Sequence, residues 1–509
     1  MKKLLLVFLF LGVLSTSCNK NDDNPIIEEE IAVEDVVEEE VVEEVDINVQ
    51  NFLWQTLNAY YFWQGQVPAL ADSRFSTQSE YEDYLTSNPN PEDFISNKLL
   101  FSEDRFTFWS DDYQDLTNSI AGIRKSNGLE FGLSLIGDTD DVFGYVEYVI
   151  KNSDASTKDI KRGDVFIGVN GTRLNRNNYI DLLFGNADTY TLNMAEMTNN
   201  TISPIDKEVS LTKEEALVED PIHVNTILNI GDKRIGYLMY NFFTLDSGDE
   251  LNQVFANFKS QNITDLVVDL RYNPGGRGST ASILASLIYG PNTDQLFFKT
   301  TYNSKIEAQF DSGALDNNFV STTGTENGGM NEALNSLNLN KVYILATEAS
   351  ASASELVMVG LEPYLDVVHI GTTTVGKNQG SILFVDDFDN GNFYDKEREG
   401  QINPNNKWGL QPIVSQVQNS AGFSDYADGL LPDIELDEDI TNLGVLGDQN
   451  EPLLARAIQE ITGVSAKISF EVVYPPSLIS SSKLVDPKTT SLILNQTAVP
   501  SIKWNLPNN

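Results

Sequence analysis

The stretch from Ile235 to Ile370 constrains this chain most, because short apolar runs alternate there with segments of helical length. Ile235-Gly236-Tyr237-Leu238-Met239-Tyr240 reads as a buried strand, residues 250–260 as a helix, and Leu266-Val267-Val268-Asp269-Leu270 as a second strand. A helix over 280–289 follows, then the strand Val342-Tyr343-Ile344-Leu345, a helix over 355–361 and a fourth strand over 367–370. Strand–helix alternation at these lengths predicts an α/β layer structure. Such folds place reactive groups where a strand meets the element after it. Two segments fall at such places: Ala349-Ser350-Ala351-Ser352-Ala353-Ser354-Glu355, and Gly376-Lys377.

The residues available for catalysis narrow the chemistry further. The 509 residues include only two histidines, His223 and His369, and one cysteine, Cys18. Imidazole and thiol chemistry therefore have little to work with, whereas a serine activated by a desolvated lysine remains open. The formal net charge of -42 argues against nucleic acid, whose phosphates would be repelled. It predicts a soluble, self-repelling surface. The length calls for two to four domains, and 41% hydrophobic residues suffice to build their cores.

The N-terminus reads as an export signal. Lys2-Lys3 precedes an apolar stretch from Leu4 to Leu14, too short to span a bilayer. Leu14-Ser15-Thr16-Ser17-Cys18 resembles a bacterial lipobox, although its leucine stands four residues before the cysteine rather than three. That resemblance implies a signal peptide over 1–17, a lipidated Cys18 and a lipid anchor in the cell envelope of a Gram-negative bacterium, facing the periplasm or the surface. Membrane contact would be through that lipid only. An ordinary secretory signal with an incidental cysteine is the alternative, and a single thiol excludes an internal disulfide framework. Residues 18–50, with Glu28-Glu29-Glu30 and Glu38-Glu39-Glu40, form an acidic tether expected to stay extended.

Residues 51–120 have a helical pattern with an aromatic stripe, Phe52, Trp54, Tyr60, Tyr61 and Trp63 among them, and are expected to form an N-terminal helical cap. Residues 121–215 change to short strands. Glu130-Phe131-Gly132-Leu133, Val142 to Val146, and Arg162-Gly163-Asp164-Val165-Phe166-Ile167-Gly168-Val169-Asn170-Gly171 follow in order. This series resembles a PDZ domain. The resemblance makes Phe131, Gly132 and Leu133 part of the loop whose amides hold a peptide's terminal carboxylate. Residues 465–509 are polar and strand-like, with several prolines, and match no known unit. Ser480-Ser481-Ser482-Lys483 fits a Ser-x-x-Lys pattern, but its companion motifs are missing, so it reads as a serine-rich loop.

Within residues 216–464, Asp269-Leu270-Arg271-Tyr272-Asn273-Pro274-Gly275-Gly276, Ser350 to Glu355, and Val375-Gly376-Lys377 occur in this order behind the PDZ-like stretch. Together they resemble the C-terminal processing (tail-specific) serine peptidases. That resemblance implies a crotonase/ClpP-like α/β catalytic domain, no cofactor or metal, and polypeptides with exposed C-termini as substrates. It makes Ser352 the nucleophile, Lys377 the general base, and the amides of Gly275 or Gly276 and of Ala353 the oxyanion donors. Many family members carry a glutamine four residues after the lysine. Here that position is Ser381 and the nearest glutamine is Gln379; either could orient the amine.

Elementary chemistry agrees. A serine at the first turn of a helix has free N–H groups and the positive end of the helix dipole beside it. Lysine can act as a base once burial lowers its pKa by several units. Each motif alone has a plainer reading: Ser352-x-x-Glu355 as a capping box, Asn273-Pro274-Gly275-Gly276 as a turn, and Lys377 as a surface residue. His369 and His223 are expected to be bystanders. The competing reading of the whole is a catalytically weak or inactive lipoprotein that only binds peptide tails.

Overall fold

The computed structural model describes residues 46–198, 200–311, 313–325, 329–464, 469–485, 492–494 and 499–502. The expected signal peptide, Cys18 and nearly all of the tether lie outside the described residues.

Apolar alternation and tight turns build a first sheet from β1 (Leu129–Leu135), β2 (Val142–Val149), β3 (Val165–Val169), β4 (Thr189–Thr198) and β5 (Thr201–Thr212), joined antiparallel in that order. A core of Phe131, Leu133, Phe166, Leu192 and their neighbours lies between it and the short helix Tyr179–Phe184. The chain enters and leaves this module through one antiparallel pair, Ile123–Ser126 against Glu214–Val218. Before it, residues 46–120 form the helix α1 (Asn48–Tyr60) and several shorter helices, including Gln78–Thr86 and Tyr113–Ile120. The aromatic stripe of α1 is core: Phe52, Trp54, Tyr60 and Tyr61 are buried, with Trp54 edge-on to Phe75 and Tyr81.

The central sheet has the order β6 (Ile222–Ile230), β7 (Lys233–Tyr240), β8 (Asp265–Asp269), β9 (Lys341–Ala346), β10 (Asp366–Gly371) and β11 (Ile434–Glu435). β6 and β7 form an antiparallel hairpin, and every other pair is parallel. The helices α2 (Gly248–Ser260), α3 (Gly278–Tyr289), α4 (Ala353–Leu361) and α5 (Pro452–Thr462) accompany this sheet. Leu238, Val268 and Ile344 face one core with α2, α3 and α4, while Tyr237, Val267 and Leu345 face another with α5. Both faces are covered, which is why the strands read as unbroken apolar runs.

Two expectations are corrected here. Phe131, Gly132 and Leu133 lie within the strand β1, not in a loop, and their open edge is taken by the strand Leu478–Ser481 of the same chain. Ser480-Ser481-Ser482-Lys483 is therefore not a loose serine-rich loop. Its main chain completes a sheet, and Lys483 is buried with its amine donating to the Asn241 carbonyl at 3.0 Å.

Candidate active site

Three loops at the C-terminal ends of β8, β9 and β10 converge, as an open parallel arrangement favours. The loop after β8 is anchored by charge. Arg271 donates to Asp269 (2.7 Å), to Glu451 on the turn into α5 (2.7 Å) and to Glu438 (3.0 Å), all buried. Burial pulls the guanidinium's pKa down, but the carboxylates outweigh it and hold the group well above its usual value. Arg162 and Tyr272 also bond Glu438, so the network spans four separate stretches of chain.

That anchored loop carries the loop after β9. The carbonyls of Leu270, Arg271 and Asn273 accept hydrogen bonds from the hydroxyls of Ser350 (2.8 Å), Thr347 (2.5 Å) and Ser354 (2.9 Å). The serine–alanine run thus serves as backbone stitching at the residues flanking Ser352. Ser352 itself is buried at the N-cap of α4, with φ 62° and ψ -109°. Among the described residues, the other seven non-glycine residues with positive φ are all asparagine. Asparagine tolerates positive φ; serine, here with ψ -109°, is held there by its surroundings.

Glu355 holds the second and third loops together. Its Oε2 accepts from the Ser352 N–H at 2.7 Å and from the Lys377 N–H at 2.9 Å. Its Oε1 accepts from the Gly376 N–H at 2.7 Å and from the Thr374 hydroxyl. Burial pushes the carboxyl up, while these four donors pull the other way. Among the described residues the Ser352 hydroxyl has no hydrogen-bond partner, so it is not bonded to the Lys377 amine.

Lys377 is fully buried, and burial brings its amine from 10.5 down to about 7. Asp104 and Glu355 oppose that shift and Arg105 adds to it. The segment from the N-terminal region lies directly on this site: Nζ stands 4.7 Å from the centre of the Phe106 ring, and Arg105 donates to the Gly376 carbonyl at 3.2 Å. Asp104 is held in turn by the Phe106 and Thr107 amides and by the Tyr61 hydroxyl. Gly376 has φ 83°, and a Cβ there would stand 2.3 Å from the Ala427 carbonyl oxygen, so only glycine admits this turn.

The expected oxyanion donors separate. The Gly275 amide is used within its own loop, donating to Asn273 Oδ1 at 2.9 Å, which corrects its assignment. Gly276, with φ 128°, lies beside Phe243 so closely that a Cβ would meet that carbonyl oxygen at 2.2 Å. Ala353 is the first residue of α4, where amides have no partner within the helix. Ser381 is buried; its hydroxyl accepts from Gln411 at 2.9 Å and donates to the Leu492 carbonyl at 3.3 Å. Gln379, in the same strand as Ser381, pairs with Gln416 of the antiparallel strand Ile413–Asn419. His369 lies in β10 against the Ala346 carbonyl, and His223 packs on Tyr148. Phe131 and Leu183 border a cavity of about 970 Å³ whose other wall includes Phe242, Thr244 and Pro274 of the glycine loop.

Residues 234–435, which carry all three converging loops, match the model of peptidase family S41. A crystal structure from Bacteroides fragilis assigned to the S41 proteases superposes with a TM-score of 0.60 at 25% identity, covering 81% of this chain and 97% of that one. The carboxy-terminal processing protease CtpA of Bacillus subtilis is 23% identical over 299 residues, 57% of this chain and 55% of its own length. A "probable CtpA-like serine protease" of Staphylococcus epidermidis is 27% identical over 213 residues, 41% of this chain. The match spans only 39% of that relative's length.

Proposed function

We propose that the protein is a serine endopeptidase of the C-terminal processing kind, with Ser352 as nucleophile and Lys377 as general base. The observation that carries this reading is the single carboxylate oxygen of Glu355, which accepts from the amides of both residues while the lysine amine is buried and brought to about 7. A neutral amine at physiological pH is what a lysine base requires. Catalytic hydrogen bonds are often open before substrate binds, so an unbonded Ser352 hydroxyl suits the resting site.

In the proposed cycle the Lys377 amine takes the Ser352 proton as Oγ attacks the scissile carbonyl. The Gly276 and Ala353 amides receive the developing oxyanion, beside the N-terminus of α4. Collapse returns the proton from the ammonium to the leaving amine and leaves an acyl-enzyme, which water cleaves with Lys377 again as base. No metal or cofactor has a part in this scheme. Ser381, bonded to Gln411, is proposed to shape the wall of the lysine pocket in place of the family's glutamine. We assign residues 121–215 as a PDZ-type module and Cys18 as a lipid anchor holding the enzyme in the cell envelope.

The test compares wild type with Ser352→Ala and Lys377→Ala on an unfolded polypeptide ending in an apolar residue. Cleavage by wild type alone supports the assignment; equal cleavage by all three ends it. Amidating the substrate's C-terminus asks whether tail capture contributes, and an unchanged rate would remove that role.

A further inference from the structure

Two described stretches of the C-terminal segment, 469–485 and 492–494, lie at places that the proposed peptidase would offer to a substrate. At the first sheet, Leu478–Ser481 adds antiparallel to the edge of β1, with Ser480 opposite Leu133 and Ser481 opposite Gly132. The Ser482 N–H donates to the Phe131 carbonyl at 2.9 Å, and the Phe131 N–H donates to Ser482 Oγ at 3.0 Å. Ile479 packs on the same apolar cluster as Tyr179, Leu182 and Phe184 of the helix facing β1. An extended peptide captured by strand addition makes this set of contacts: main-chain bonds to the edge and an alternate side chain in the groove.

Further along, Leu492–Ile493 lies parallel to the strand Gly276–Arg277 and also against Ser381. The Leu494 N–H donates to the Ser381 carbonyl at 3.0 Å, and the Leu492 carbonyl accepts from the Ser381 hydroxyl. The segment is thus a strand laid between Gly276–Arg277 and the strand Gln379–Ser381, which begins two residues beyond Lys377. Leu492, Ile493 and Leu494 are all buried. Beyond the cleft, Ile502 donates to the Tyr60 hydroxyl of α1 at 2.8 Å.

We propose that this C-terminal segment is a tethered occupant of the substrate path, docked at the β1 edge and in the cleft, and that extended apolar peptides compete with it. The inference rests on the peptidase reading for what the cleft does, but not for what occupies it. The protein as folded is self-blocked. A substrate segment that displaces the tail resembles Leu492-Ile493-Leu494: extended, apolar and without charge. Because effective affinity scales with the fraction of molecules whose site is open, loosening the tail raises activity without altering the catalytic groups.

The experiment uses full-length protein. Ser482→Pro removes the amide that bonds Phe131, and Leu494→Asp places a charge in the cleft end of the tail. Cleavage of an unfolded polypeptide is measured for wild type, both variants, and Leu494→Asp combined with Ser352→Ala. In parallel, binding of a fluorescent peptide of residues 477–494 is measured to Ser352→Ala protein with and without Leu494→Asp. The expected result is about tenfold or greater stimulation of cleavage by either variant. Ser352→Ala should abolish that stimulation, and the peptide should bind only where the tail is loosened. Folded variants that cleave no faster and bind no peptide overturn the proposal. So do variants that lose their thermal transition together with peptide binding, since the tail would then be a structural strand. If the peptide binds as expected and nothing is cleaved, the self-occupied groove stands and the peptidase reading falls.

Discussion

Arg271 and Lys377 are both cations buried from solvent in neighbouring loops, and their fates are opposite. Arg271 is surrounded by Asp269, Glu438 and Glu451, which keep it charged. Lys377 is wrapped by the Phe106 ring and an Arg105 side chain that raises the cost of a second positive charge, and its amine is brought to about 7. Burial alone therefore decides nothing. A buried cation ringed by carboxylates stays charged, and one whose desolvation outweighs the nearby carboxylates is brought towards neutrality. Glu355, one of the two carboxylates that oppose the shift at Lys377, makes four hydrogen bonds to three backbone amides and a threonine hydroxyl and so ties the loop in place.

The contrast can be broken most forcefully at the reactive end. Ser352→Ala is expected to lower kcat/KM by ~10³-fold or more, measured on an unfolded polypeptide, with the melting temperature retained. Lys377→Met should lose activity on the same scale yet raise stability at pH 6, because it removes a buried amine that must be charged there. The sign follows from linkage. The folded pKa of about 7 lies below the ordinary 10.5, so between these values the unfolded chain binds more protons, and wild type gains stability relative to the variant as pH rises. Arg271→Met should do the reverse, costing about 3–5 kcal/mol in urea unfolding by leaving carboxylates unpaired.

A pH profile sharpens the same point. Below about pH 7 kcat/KM should fall roughly tenfold per unit as Lys377 gains its proton. The smallest effect is expected from Phe106→Ala, which admits water to the amine. The apparent kinetic pKa should rise by about one unit or less, with stability little changed.

The strands and helices between residues 235 and 370 were legible because their signals are local. Helices expected over 250–260, 280–289 and 355–361 occur at Gly248–Ser260, Gly278–Tyr289 and Ala353–Leu361. Ser352, Lys377 and Gly276 could be put forward as candidates because each carries its signal in its own motif. Glu355 could be read only as a helix cap, since three of its four donors come from residues 374–377. Asp104, Arg105 and Phe106 were missed because they reach the lysine from about 270 residues away in sequence, and nothing in their own neighbourhood advertises that contact. The docking of the C-terminal segment was invisible for a different reason. Its bonds to β1 and to the cleft are mostly main-chain bonds, which almost any sequence can make. The Gly275 amide illustrates the remaining limit: one Asn273 side chain, two residues away, takes up an amide that the motif alone leaves open.

The central claim, that burial has made Lys377 a base, can be tested by direct titration. Ser352→Ala protein carrying isotope-labelled lysine side chains would be followed by nuclear magnetic resonance from pH 5 to 11. The account predicts one lysine titrating near 7 that disappears in the Lys377→Met double variant. If every lysine titrates near the ordinary value of ~10.4, Lys377 is not the base and the assignment is contradicted.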